Sequence, residues 1–329
     1  MLNLEEQFQA LLQMPSPEGS HVLAQPIPGF RNHRLARDIH GLPMILISLP
    51  RGQSRTRPTP IKLEHLSVQH DVECRLTGVD GVMDEGQFTV IACLGTDSAL
   101  HTYFLRVLES IILLLGPKPV RSDITRAIYN LVELFRAMTA APRKSVQGLW
   151  AELFLIDQAT DAAALCEAWH TTPEDKYDFS SDSQRIEVKS AANRIRQHQF
   201  SLGQLQPPHG TDVLIASLFI ERAGAGTSLA ELLDRIRMRI GSNLEQLMTL
   251  DRVVGMTLGI SWRQAMDERF DYDLARHSLA FYDALAVPSI ITPVPSEVSN
   301  VRFSSDLSGI TAADLTHYRA AGGLFKAAI

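Results

Sequence analysis

From Thr211 to Ile220 the chain is almost continuously apolar. A strand without polar alternation has to be covered on both faces, so this run predicts an interior strand of a sheet flanked by helices, and an α/β body around it. The rest of the chain divides on either side of Pro142. Up to about Leu94 it reads as β-rich, with a compact apolar run at Met44 to Ser48, loose alternation from Ile61 to Leu76 and a short strand from Gln87 to Leu94. Helices follow. Thr96 and Asp97 are cap residues for a helix that runs to Leu115 and stops at Gly116-Pro117. Ser122 or Asp123 caps the next, whose apolar positions are Ile124, Ile128, Leu131 and Phe135. These patterns place a β-rich N-terminal domain with a helical end at 1–140 and a second domain at 141–329.

In the second domain, Ser145 to Gln158 carries apolar residues at Val146, Leu149, Leu153 and Ile156, an amphipathic helix with Ser145 as its cap. Ala191 to Leu205 reads as another helix, with Ile195, His198, Gln199 and Leu202 on one side. Gly224 to Ser228 reads as a flexible turn into a helix that opens with a Ser228/Glu231 capping box. Those glycines could cradle a nucleotide phosphate, but neither the dinucleotide nor the P-loop spacing is met. Leu279 to Pro288 and Val301 to Phe303 suggest a closing helix and strand.

The chemistry concentrates between Tyr177 and Ser190. A polar turn, Ser180 to Gln184, separates Asp178 from Glu187 and Lys189. In a strand Glu187 and Lys189 point the same way, and a hairpin brings Asp178 alongside them, so two carboxylates and an amine converge. Such a group suits a hard divalent ion, which prefers a few carboxylate oxygens. Asp178 and Glu187 would hold it, with the Val188 carbonyl as a further ligand, and Lys189 would position or deprotonate a water or offset charge on a phosphate. The alternative is a solvated hairpin with a cross-strand ion pair. Glu152 adds to the first reading, because it falls on the apolar stripe of its helix, where a carboxylate is costly unless a cation or hydrogen bonds meet it. Its own alternative is a glutamate that snorkels to water.

Taken together, Gln147 to Leu153, Tyr177-Asp178-Phe179, Ile186 to Ser190 and His198-Gln199-Phe200 running to Gln204-Leu205 resemble the PD-(D/E)XK motif proteins, a family of the restriction-endonuclease-like superfamily. Similarity extends over Thr211 to Ile240, Phe281 to Pro288 and Val301 to Phe303. The resemblance implies a restriction-endonuclease-like core of helix, three-stranded meander, helix and strand, a mixed sheet flanked by helices. It implies magnesium, with manganese as a substitute, held by Asp178, Glu187, Val188 and Glu152, and DNA as the substrate of a deoxyribonuclease of restriction or antiphage type. It also implies an ATPase and a methyltransferase as partners. A homodimer is compatible with this pattern. Tyr177 stands where the superfamily's name has proline, which is not a ligand.

The net charge of −6 sits badly with phosphate binding, but the strip around the hairpin is locally positive. Arg185, Arg194 and Arg196, with Ser190 and His198, are therefore the candidate DNA contacts; for His198 a hydrogen-bonded, partly buried histidine is the competing reading. Two further basic strips, Arg51, Arg55, Arg57 and Lys62 in a loop and Arg235, Arg237 and Arg239 on a helix, read as solvated surfaces. A hydrophobic share of 45% over 329 residues allows a large core. Cys74, Cys93 and Cys166 have no paired spacing, so neither a disulfide framework nor a zinc site is expected. The first residues lack a basic, apolar leader and Ile111 to Leu115 is too short to span a bilayer, so a cytoplasmic protein without a membrane is expected. The competing class is a noncatalytic DNA-binding or scaffold subunit of a defence complex; a third option is nucleotide hydrolysis at the Gly224 loop.

Overall fold

The computed structural model describes residues 2–15, 22–48, 58–79, 82–170, 175–291 and 293–329. They form a mixed α/β protein of two units, Met1–Ala140 and Ala141–Ile329.

The first unit opens with a helix that the sequence reading lacked, α1 (Leu4–Leu12), capped by Asn3 and buried through Leu4, Phe8 and Leu11. Six strands follow: β1 (Val22–Ile27), β2 (Phe30–Arg37), β3 (Pro43–Ser48), β4 (Ile61–Lys62), β5 (Leu66–Gly78) and β6 (Met83–Cys93). Their order is β1-β2-β3-β6-β5-β4, and a parallel pairing of Val22, Leu23 and Ala24 with Leu76, Thr77 and Gly78 joins β1 to β5 and closes a barrel. Closure removes the open edges that a flat sheet would offer to other chains. A small barrel has room only for side chains, and Ala24, Ala36, Leu46, Leu76, Phe88 and Val90 form a buried cluster within this unit.

Helix α2 (Ser98–Leu115) begins at Asp97, whose carboxylate accepts from the Ala99 N–H, and ends where Gly116 takes a positive φ of 70°. It is long and apolar enough to cross a membrane by length and composition, and half of that 18-residue window is buried inside the protein. Helix α3 (Arg121–Ala137) starts before either cap residue expected from sequence: Val120 is the N-cap and makes no side-chain bond, while Asp123 lies in the first turn, favourably placed for the helix dipole.

The second unit is organised around α4 (Val146–Gln158). Ser145 caps it as expected, but every residue from Leu149 to Asp157 is buried. It is therefore a core helix and not an amphipathic one, and its polar residues within that stretch must be satisfied by the protein. After α5 (Ala162–Ala168) come β7 (Phe179–Ser181) and β8 (Gln184–Ala191), an antiparallel hairpin turned at Asp182, whose φ is +45°.

Here the helix expected at 191–205 gives way. The chain forms β9 (Gln197–Ser201) and only a four-residue helix, α6 (Leu202–Leu205). Strand β9 pairs with β14 (Arg302–Asp306) in a separate two-stranded sheet. The helical period read at Ile195, His198, Gln199 and Leu202 was fortuitous; burial alternates at His198 and Phe200 with exposed Gln197 and Gln199, the period of a strand.

Strand β10 (Asp212–Phe219) is the expected interior strand, buried from Val213 to Leu218. It runs parallel to β8, with Ile215 opposite Glu187, and antiparallel to β13 (Ala280–Asp283), giving the order β13-β10-β8-β7. Leu279 to Pro288 thus supplies a strand where a helix was expected. Gly224 to Ser228 is likewise no flexible turn but part of β11 (Arg222–Ser228), which pairs with β12 (Arg269–Phe270). A Cβ on Gly226 would lie 2.2 Å from the Phe270 carbonyl oxygen, so this glycine is needed for close strand approach, and no phosphate cradle is formed by it. Helix α7 (Leu229–Ile240) starts with the expected Ser228/Glu231 capping box. The unit is completed by α8 (Leu244–Leu258), α9 (Trp262–Met266), α10 (Tyr272–Ser278), α11 (Leu315–Ala320) and α12 (Gly323–Ala328).

Candidate metal centre

Three carboxylates meet inside the second unit. Glu152 projects from the middle of α4, Asp178 precedes β7 by one residue, and Glu187 lies on β8; their relative exposures are 3%, 7% and 5%. Burying three acids together is costly unless each is bound.

Each is bound, and in two of them the binding is one-sided. Glu152 Oε2 accepts from Trp169 Nε1 at 2.8 Å and lies 3.0 Å from His170 Nε2, while Oε1 faces Lys144 Nζ at 2.7 Å. Asp178 Oδ2 accepts the Val188 N–H at 2.8 Å, and Oδ1 faces the same Lys144 Nζ, also at 2.7 Å. One oxygen of each acid is thus anchored by its neighbours and the other is presented to a single ammonium. Glu187 belongs to a neighbouring arrangement: Oε1 accepts from Lys189 Nζ at 2.7 Å and from Gln204 Nε2 at 2.5 Å. Gln204 is held in turn by the Ser201 capping box at the start of α6.

The electrostatics follow from this crowding. Burial pushes Asp178 up, the Glu152 charge pushes it further, and Lys144 only partly offsets the two. Burial and then the Asp178 charge raise Glu187 to about 8, against the pull of Lys189. Burial also acts to raise Glu152, but the His170 hydrogen bond and the Lys144 charge outweigh it, so this carboxyl lies below its usual range. Lys144 loses solvation yet is raised, because Glu152 and Asp178 flank its ammonium. Displaced titrations gathered in one buried cluster make it a functional-site candidate.

Sequence reasoning found the three acids and Lys189, and the structure gathers them. It missed Lys144, His170, Trp169 and Gln204. Trp169 and His170 are carried to the site by a short antiparallel bridge: Trp169 pairs with Phe179, and the His170 N–H donates to the Asp178 carbonyl at 2.8 Å. Val188 touches Asp178 through its N–H.

The expected DNA contacts are engaged within the protein. Arg185 donates to the carbonyls of Ser181, Asp182 and Gln184 and so braces the hairpin turn. Ser190 accepts from Gln147 at 3.1 Å, and Arg194 grips Glu221 with two nitrogens. Arg196 donates to Ser217 and to the Ser278 carbonyl and lies over the rings of Phe219 and Tyr282. His198 is the buried, hydrogen-bonded histidine of the alternative reading, 2.7 Å from Ser217 Oγ, and burial with the nearby charges of Lys189 and Arg196 lowers it to about 4. Arg51, Arg55 and Arg57 lie outside the described residues. The helix strip is structural: Arg235 pairs with Asp157, Arg237 with Asp251, and Arg239 donates to the carbonyls of Ile156, Asp157 and Ala159 at the end of α4.

The donor set fits a divalent cation. Glu152, His170 and Asp178 each offer a ligand atom, all within 4.8 Å of one another, and the ammonium of Lys144 already stands against all three side chains as a cation in miniature. Glu187 stands outside that trio but close enough for the Asp178 charge to act on it.

Residues 4–308 match the family model described as "Putative PD-(D/E)XK family member (DUF4420)". No curated protein and no solved structure matches the chain.

Proposed function

Since the chain belongs to the DUF4420 family of PD-(D/E)XK proteins, we propose that it is a divalent-cation-dependent deoxyribonuclease with a restriction-endonuclease-like core in its second unit. The observation that carries this reading is the buried convergence of Glu152 and Asp178 with His170, with Glu187 and the amine of Lys189 alongside.

Glu152 and Asp178, with His170, would hold the ion, magnesium or manganese, and Glu187 would lie next to it. Such an ion neutralises phosphate charge and makes water a better nucleophile at neutral pH. The chain's own residues do the rest. Trp169 and the Val188 N–H fix one oxygen of Glu152 and of Asp178, so the acids keep their orientation without a ligand. Gln204 and Lys189 share Glu187 Oε1, which places the Lys189 amine at the edge of the cluster, where it can orient a water or balance charge on a phosphate. Glu187 at about 8 is a carboxyl able to exchange a proton near neutrality.

Of the alternative, a noncatalytic DNA-binding or scaffold subunit, the scaffold form is favoured by one observation: the net charge of −6 and the engagement of Arg185, Arg194 and Arg196 inside the protein leave few cations for phosphate. A restriction or antiphage setting, with an ATPase and a methyltransferase as partners in the cytoplasm, completes the proposal and rests on the family alone.

The test is cleavage of supercoiled plasmid by purified protein with magnesium or manganese. Loss of cleavage in both Asp178→Ala and Lys189→Ala supports the assignment; the same rate in wild type and both variants ends it.

A further inference from the structure

We infer that His170 is a protein ligand of this centre, which makes it a mixed nitrogen and oxygen site selective for a manganese-class ion over magnesium. The inference rests on the metal-site reading above and adds to it the class of ion.

Three observations lead there. The first is position. His170 is not on an adjustable surface loop tip, for its N–H donates to the Asp178 carbonyl at 2.8 Å and its neighbour Trp169 forms the bridge to Phe179. Its backbone is therefore in register with the acid it would share an ion with. The second is the ring. Nε2 lies 3.0 Å from Glu152 Oε2 and 3.3 Å from Lys144 Nζ, and the ring is set edge-on against Trp169 at 5.7 Å. Binding an ion would require the neutral tautomer with its proton on Nδ1, in which the Nε2 hydrogen bond to Glu152 is given up and Nε2 turns a lone pair toward the space between the two acids. The third is that a cation already sits there. Lys144 Nζ touches Glu152 Oε1, Asp178 Oδ1 and His170 Nε2, so the three ligand atoms converge on one positive group and not merely on one another.

Chemistry then selects the ion. Magnesium strongly prefers an all-oxygen shell with retained waters, whereas an imidazole nitrogen raises affinity for first-row transition metals. Two carboxylates and one histidine therefore tilt the site toward manganese and its neighbours. Lys144 is compatible with this: its side chain is 37% exposed, and it precedes the Ser145 cap, so its ammonium can leave toward solvent when an ion takes its place.

The experiment is pulsed electron paramagnetic resonance on the full chain loaded with Mn2+, with Mn2+ and Mg2+ affinities measured by calorimetry on the same samples. Expected is a nitrogen-14 modulation on the bound manganese that disappears in His170→Gln, and a narrowing of the manganese-over-magnesium affinity ratio by about tenfold in that variant. The wild-type spectrum needs no variant to fold. If Mn2+ binds, and Asp178→Asn abolishes that binding, but the spectrum carries no nitrogen modulation, the inference about His170 is overturned while the site stands. If neither wild type nor Lys144→Met binds Mn2+, the metal site itself is overturned and the inference with it.

Discussion

The middle and the C-terminal end of α4 bury acids in opposite ways. At its C-terminal end Asp157 accepts from the Tyr272 hydroxyl and pairs with Arg235, and on the adjoining α8 Asp251 pairs with Arg237. At its centre Glu152 shares one lysine with Asp178, and Asp178 in turn raises Glu187. The C-terminal end matches each carboxylate with a guanidinium whose planar fork suits it; the middle crowds three carboxylates around two lysines. The first unit sharpens the contrast, since its buried polar side chains among the described residues are His33, Arg37, His70, Thr89 and Ser110, with no acid at all. A core that only has to be stable avoids buried acids or pairs them with arginine. Crowded carboxylates persist where another charge is to be received.

This contrast predicts unequal responses to substitution. The largest effect belongs to the paired end: Arg237→Ala, which deprives buried Asp251 of its guanidinium, should lower unfolding free energy in urea by about 3–5 kcal/mol. A loss below about 1 kcal/mol would remove the distinction between the two regions. In the barrel, Leu46 is fully buried, and Leu46→Ala should cost about 2–5 kcal/mol through the lost contacts and the cavity, with Mn2+ affinity unchanged by calorimetry.

At the crowded centre the sign reverses. Glu187 is raised to about 8, so between its ordinary value and that point the folded protein binds more protons than the unfolded chain. This group therefore favours folding at low pH, and its contribution is lost as pH rises through that window. Glu187→Gln should flatten the fall in urea midpoint between pH 5.5 and pH 8.5 and be the more stable protein at the upper end; an unchanged slope would break the comparison. The smallest effect is expected in the metal affinity of Lys144→Met, which leaves Glu152 and Asp178 without their shared ammonium. Its metal-free form should melt earlier than wild type, and Mn2+ should bind about tenfold more tightly, equivalent to about 1.4 kcal/mol, because no resident cation has to be displaced.

Much of this unit was legible in short-range pattern. Ser145 ahead of a helical period, the Ser228/Glu231 capping box, the apolar run at β10 and the polar turn between Asp178 and Glu187 are all encoded within one element and its flanks, and each appears as expected. Where two periods competed, local reading failed: residues 191–205 look helical in their spacing, yet the pairing of β9 with β14, about a hundred residues away in the chain, turns them into a strand.

By itself, then, the sequence determined the family, the mixed α/β character and the acids with Lys189, because hairpin register and helix period set which side chains share a face. Tertiary structure decided the rest. Nothing near Lys144 or His170 in the chain distinguishes them from surface residues; they become part of the centre only because the fold brings them 34 and 18 residues across sequence to Asp178 and Glu152. The arginines went the other way, since a long guanidinium finds its partner only after packing: Arg196 and Arg239, basic and exposed on paper, end against carbonyls inside the folded unit. Short-range sterics and hydrogen bonding are written along the chain, whereas the pairing of a charge depends on which distant group occupies the same small volume.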